Sequence, residues 1–80
     1  DLEAGMLARS KAGHDKAQMY IIKEVDDTYV YLVDGRIRTL GHPKKKKKKH
    51  VQIVHGIYNM KELDDAGIRK LIKDWMKEEK

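Results

Sequence analysis

The sequence predicts a mainly β domain: a small barrel of about five short strands, followed by one amphipathic C-terminal helix. Two observations carry this reading. Residues 5–55 break into short runs rich in Val, Ile and Tyr, separated by Gly- and Asp-containing turns. Residues 59–80 change to a helical period. The expected division is a barrel over residues 1–58 and a helical tail over 59–80, packed on the barrel or on a partner.

Gly5 opens a first strand, Met6 to Ser10. Lys11 to Lys16 form a polar loop around Gly13. A second strand is expected from Gln18 to Val25, and Asp26-Asp27 turns the chain. A third strand, Thr28 to Val33, combines β-branched residues with two tyrosines. Its alternation places Tyr29 and Tyr31 on one face and Val30 and Leu32 on the other. Asp34-Gly35 then predicts a tight type I′ hairpin turn. A fourth strand is expected over Arg36 to Leu40, with Ile37 opposed in face to Arg36 and Arg38. Gly41-His42-Pro43 ends it, and Lys44 to Lys49 read as an exposed loop. His50 to Val54 complete the barrel, with Val51 and Ile53 on one face and Gln52 on the other.

In the tail, Ile68, Leu71, Ile72, Trp75 and Met76 line one face of a helix. Asp64 is the expected N-cap, Leu63 can staple onto Ile68, and Asp65 suits the positive end of the helix dipole.

Charge is concentrated in one place. The chain carries +5, yet without its six-lysine run it would hold 12 Lys and Arg against 13 Asp and Glu, a balance of −1. A local cationic field beside a neutral body suits a polyanionic partner. With no cysteine, disulfides and thiolate zinc sites are excluded, and a cytoplasmic setting is expected. The longest apolar run, Tyr29 to Val33, is far short of the ~20 residues a membrane-spanning helix needs. The chain begins at Asp1 rather than Met, which leaves its natural start open.

Catalysis finds little support. Ser10 is the single serine, and no nucleophile stands beside a histidine in a recognised pattern. Asp26-Asp27 and Asp64-Asp65 sit where a turn and a cap need them. His14, His42, His50 and His55 show no metal-binding spacing. Gly41-His42-Pro43-Lys44-Lys45 lacks the Gly-Lys-Ser/Thr ending of a nucleotide-binding loop. No enzyme activity, metal, cofactor or small-molecule substrate is expected.

Lys44, Lys45, Lys46, Lys47, Lys48 and Lys49 are the strongest physical signal. Neutralising phosphates with lysine releases condensed counterions, which drives association without reading bases. A solvated loop, or a patch for a membrane or another polyanion, is the plainer reading of such a run. Arg9, Lys11 and Lys16 beside Gly13, with Arg36 and Arg38 after the turn, would add to the cationic surface if barrel closure gathers them. Tyr20, Tyr29, Tyr31 and Tyr58 read first as strand packing and second as platforms for bases.

Gly5-Met6-Leu7-Ala8-Arg9-Ser10-Lys11-Ala12-Gly13-His14-Asp15-Lys16 resembles the opening of a KOW motif. Asp34-Gly35-Arg36-Ile37-Arg38 and Pro43-Lys44 through Lys49-His50 extend the resemblance over about residues 4–55. The pattern is similar to that of KOW-domain RNA-binding proteins, which include the eukaryotic and archaeal ribosomal protein fourteen of the large subunit and short bacterial relatives. The resemblance implies an SH3-like barrel that contacts structured RNA, with ribosomal RNA the leading expectation. It implies that Lys11 to Lys16, including His14, and Lys44 to His50 face the RNA. Two positions depart from the family pattern: Ala17 replaces a usual glycine, and Lys47 stands where an asparagine is usual.

The expected function is therefore cytoplasmic RNA binding in contact with the translation machinery, with no membrane role. Gly13, Asp34 and Gly35 are expected to shape turns rather than touch the partner. The alternative is a protein-interaction module that uses the barrel and the apolar helix face.

Overall fold

The computed structural model describes residues 1–11, 13 and 18–78. Its core is a five-stranded antiparallel sheet curled into a half-barrel. The strands are β1 (Met6–Ser10), β2 (Met19–Val25), β3 (Tyr29–Val33), β4 (Lys44–Lys47) and β5 (Val51–Ile57), ordered β4-β3-β2-β1-β5. A 3-10 turn, Lys48–His50, links β4 to β5, and a second one, Met60–Glu62, precedes the helix α1 (Asp65–Glu78).

Strand alternation sends side chains to two separate cores. Ala8, Tyr20, Ile22, Val30, Leu32 and Val51 fill the inside of the curl. Leu7, Met19, Ile21 and Val33 point the other way and meet Ile68 of α1. Both faces of β2 are thus buried over its first four residues, which explains the unbroken apolar run Met19 to Ile22.

The helix begins as the sequence predicts. The Gly67 amide donates to Asp64 Oδ1 at 2.8 Å and the Ile68 amide to the Asp64 carbonyl at 2.9 Å, the hydrogen bonds of an N-cap. Leu63 joins the cluster that contains Ile68, as a staple requires. Ile68 is fully buried within the chain, and Leu71, Ile72 and Trp75 pack against the same cluster. Most of the apolar stripe is therefore spent on the sheet's outer face. Among the described residues no helix is long and apolar enough to cross a membrane.

The expected fourth strand, Arg36 to Leu40, does not form. Asp34-Gly35 is not a two-residue hairpin turn but the start of a self-closed loop. The Asp34 and Gly35 amides both donate to the Arg38 carbonyl, at 2.8 and 3.1 Å. The nearly buried Asp34 carboxylate accepts from the Arg36 and Arg38 amides at 2.9 and 3.0 Å. These groups are satisfied locally and have no need of a neighbouring strand. Ile37 consequently projects into solvent, 81% exposed. Replacing Ile37 with Arg should change unfolding free energy by no more than about 0.5 kcal/mol. Chemical denaturation would check this, whereas a strand residue packed on the barrel would show a clear loss.

The loop instead seats the helix. Gly35 has φ +77°, and a Cβ there would run into the Asp65 carbonyl oxygen. Arg69 Nη1 donates to the Gly35 carbonyl at 2.5 Å, and Asp65 Oδ1 accepts from the Leu40 amide at 2.8 Å. Lys23 Nζ holds the Leu40 carbonyl from the sheet side at 2.8 Å.

The lysine run supplies the strand that Arg36 to Leu40 does not. Lys44, Lys45, Lys46 and Lys47 pair antiparallel with Leu32, Tyr31, Val30 and Tyr29. Lysine is a poor strand former by propensity. Here the backbone groups of β3 need partners on that side, and pairing satisfies them. Lys44 and Lys46 lie opposite buried Leu32 and Val30 and are half-buried, consistent with long stems packed along apolar surface.

The last strand is longer than expected and irregular. It reaches Ile57, and its pairing with β1 shifts register on both sides of Leu7. After the shift Val54 reaches the helix-side core, while Ile53 is 41% exposed rather than sharing the burial of Val51.

Candidate nucleic-acid interface

A lysine strand at the edge of the sheet sorts its side chains by alternation. Lys45 and Lys47 share the outer face with Tyr31 and Tyr29, directly across the ladder. Both lysines are exposed, and both tyrosines are half-buried. Lys45 Nζ lies 4.2 Å from the centroid of the Tyr29 ring, a cation–π contact.

The nearest turn keeps its own carboxylate occupied. Asp26 Oδ1 accepts from the Thr28 and Tyr29 amides at 3.0 and 2.7 Å, and Oδ2 accepts from the Tyr31 hydroxyl at 2.8 Å. These bonds, led by the Tyr29 amide, hold the Asp26 carboxyl below its ordinary 3.8, and Lys45 adds to the effect. Donation from its hydroxyl to Asp26 Oδ2 raises the Tyr31 phenol above 10.0. The stability that Asp26 contributes is present above 3.8 and is lost as pH falls through its lowered value. The Tyr31 contribution is present below 10.0 and fades as pH rises through its raised value. In Asp26→Asn the Tyr31 phenol should titrate back toward 10.0, which the pH dependence of its ring signals in NMR would detect.

Beyond β4 the cationic surface continues. The Lys48 amide donates to the Thr28 carbonyl at 3.0 Å, starting the 3-10 turn that carries Lys48, Lys49 and His50. Thr28, Lys47, Lys48 and Lys49 line a shallow groove with Asp27. The Lys11 amide donates to the His50 carbonyl at 2.7 Å, and Lys11 and Lys48 line a neighbouring groove. The fold therefore brings together Lys11, Lys45, Lys47, Lys48, Lys49 and His50. Lysine also guards sheet edges against pairing with other chains. That role does not extend to Lys48 and Lys49, which lie past the end of the strand.

Arg9 is half-buried on β1 opposite Met19 and Gln52. Arg36 lines a separate groove against α1, with Arg69, Met76 and Lys77. Arg38 is half-buried and its backbone closes the Asp34 loop. Arg36 therefore lies against α1, apart from the grooves that Lys11 and Lys47 to Lys49 line. His14, Lys16 and Ala17 lie outside the described residues. Gly13 has φ +86°, in keeping with its expected role in the turn.

The tyrosines divide. Tyr20 is buried in the inner core, and Tyr58 packs beside the helix. Tyr29 and Tyr31 lie on the uncovered face beside the lysines, an arrangement that propensity alone leaves ambiguous. No protein-family model matches this chain, and no curated protein matches it.

Proposed function

We propose that this protein binds RNA, docking on structured RNA through the β4 edge and the 3-10 turn that follows it. The observation that carries the reading is the lysine array. Lys45, Lys47 and Lys49 are exposed and joined by Lys11 and Lys48 at one continuous edge. The remainder of the chain is nearly charge-balanced, so the field is local. A phosphate backbone is a line of closely spaced negative charges, and an extended strand of cations matches it better than it matches a compact anion. The KOW-like pattern over residues 4–55 supports the same class of partner and extends it to ribosomal RNA in the cytoplasm. The protein-interaction alternative has less to work with, since α1 spends Ile68 on the sheet.

Equilibrium binding measured across salt tests the reading. Four to six neutralised phosphates give a slope of about −3 to −4 in log K against log salt on single-stranded RNA. A flat response would refute it. So would anionic phospholipid vesicles that bind more tightly than RNA at equal salt.

A further inference from the structure

The outer face of the sheet is divided in two. Residues 29, 31 and 33 of β3 share this face, and Val33 is buried with Ile68 of the helix. Tyr31 and Tyr29 continue the face where the described helix residues no longer cover it, each half-buried. Across the ladder stand Lys45 and Lys47.

We infer that Tyr29 and Tyr31 form a stacking platform for unpaired nucleobases, with Lys45 and Lys47 holding the connecting phosphates. This rests on the RNA-binding reading and narrows its ligand to a single-stranded segment, such as a loop of a folded RNA. Three observations carry it. The exposed Lys45 side chain stands over a face of the Tyr29 ring, its ammonium 4.2 Å from the centroid, so that face is covered by a solvent-exposed lysine rather than by the core. The Tyr31 hydroxyl is tied to Asp26 at 2.8 Å, which fixes the ring before any ligand arrives. The two rings lie two residues apart on one strand, about 7 Å, with a lysine opposite each. A base entering over Tyr29 would displace Lys45 toward the adjacent phosphate. Bases within a duplex stay stacked on one another and leave no face for a tyrosine.

The test compares a single-stranded RNA of about ten nucleotides with the same strand annealed to its complement. The single strand is expected to bind more tightly. Tyr29→Leu and Tyr31→Leu should each weaken it about tenfold with the salt slope unchanged, while Tyr29→Phe binds as the parent does. On the unmodified protein, ring protons of both tyrosines should move upfield in NMR as the single strand is added. This measurement stands even if a leucine variant folds poorly. Unmoved ring protons, or leucine variants that bind like the parent with a steep salt response, would overturn the platform and leave RNA binding intact. No salt-sensitive binding to either RNA would overturn both.

Discussion

Replacing Lys45, Lys47, Lys48 and Lys49 together with glutamine will weaken RNA binding on the order of 10²-fold at about 0.1 M salt. Each lost phosphate contact removes counterion release, so the salt slope should fall by about 2 to 3 as well. Stability should change little or rise. Lys47 and Lys49 are exposed, and separating six adjacent cations relieves repulsion. Glutamine keeps the stem length, so the β4–β3 ladder is retained. Fluorescence anisotropy with labelled RNA, run beside thermal denaturation, would separate lost contacts from lost fold. Substituting Arg36 gives a contrast. It lies in the groove against α1 and should alter affinity several-fold less than the lysine set.

The second large effect concerns the helix seat. Gly35→Ala should cost about 2–4 kcal/mol, because alanine at φ +77° is strained and its Cβ meets the backbone of α1. For a domain of this size that lowers the melting temperature by roughly 10 to 25 °C. Trp75 packs with the cluster under the helix, so its fluorescence should shift to the red as α1 loosens. Gly41→Ala is the control. Nothing lies within 4 Å of a Cβ there, and the change should be neutral or slightly stabilising. Circular dichroism melts of the two variants would show the difference.

The two effects mark what a sequence can and cannot disclose here. Strands β1, β2, β3 and the helix were legible because their apolar residues alternate or recur at helical spacing. The N-cap at Asp64 was legible because the cap is a local interaction. The β4 strand was not. Six identical residues carry no period, so neither the strand nor its register could be read from them. Tertiary pairing with β3 decided the matter against lysine's weak propensity. The Asp34 loop failed for the opposite reason. Asp-Gly beside an apolar run is a strong hairpin signal, but the Asp34 carboxylate captured two amides and folded the segment on itself. The site followed the same division. That the lysines would dominate the surface was plain from their number, whereas their placement beside Tyr29 and Tyr31 depends on a register that only the structure reveals.

The central claim is that an exposed lysine edge on a nearly neutral scaffold is where RNA docks. Amide NMR of the full chain, titrated with RNA at low salt, tests it most directly. The shifts should concentrate in Lys11 and residues 44–50, with smaller changes at Tyr29 and Tyr31. Perturbations centred on Arg36, Lys73 and Lys77 in the groove beside α1, with residues 44–50 unmoved, would contradict it.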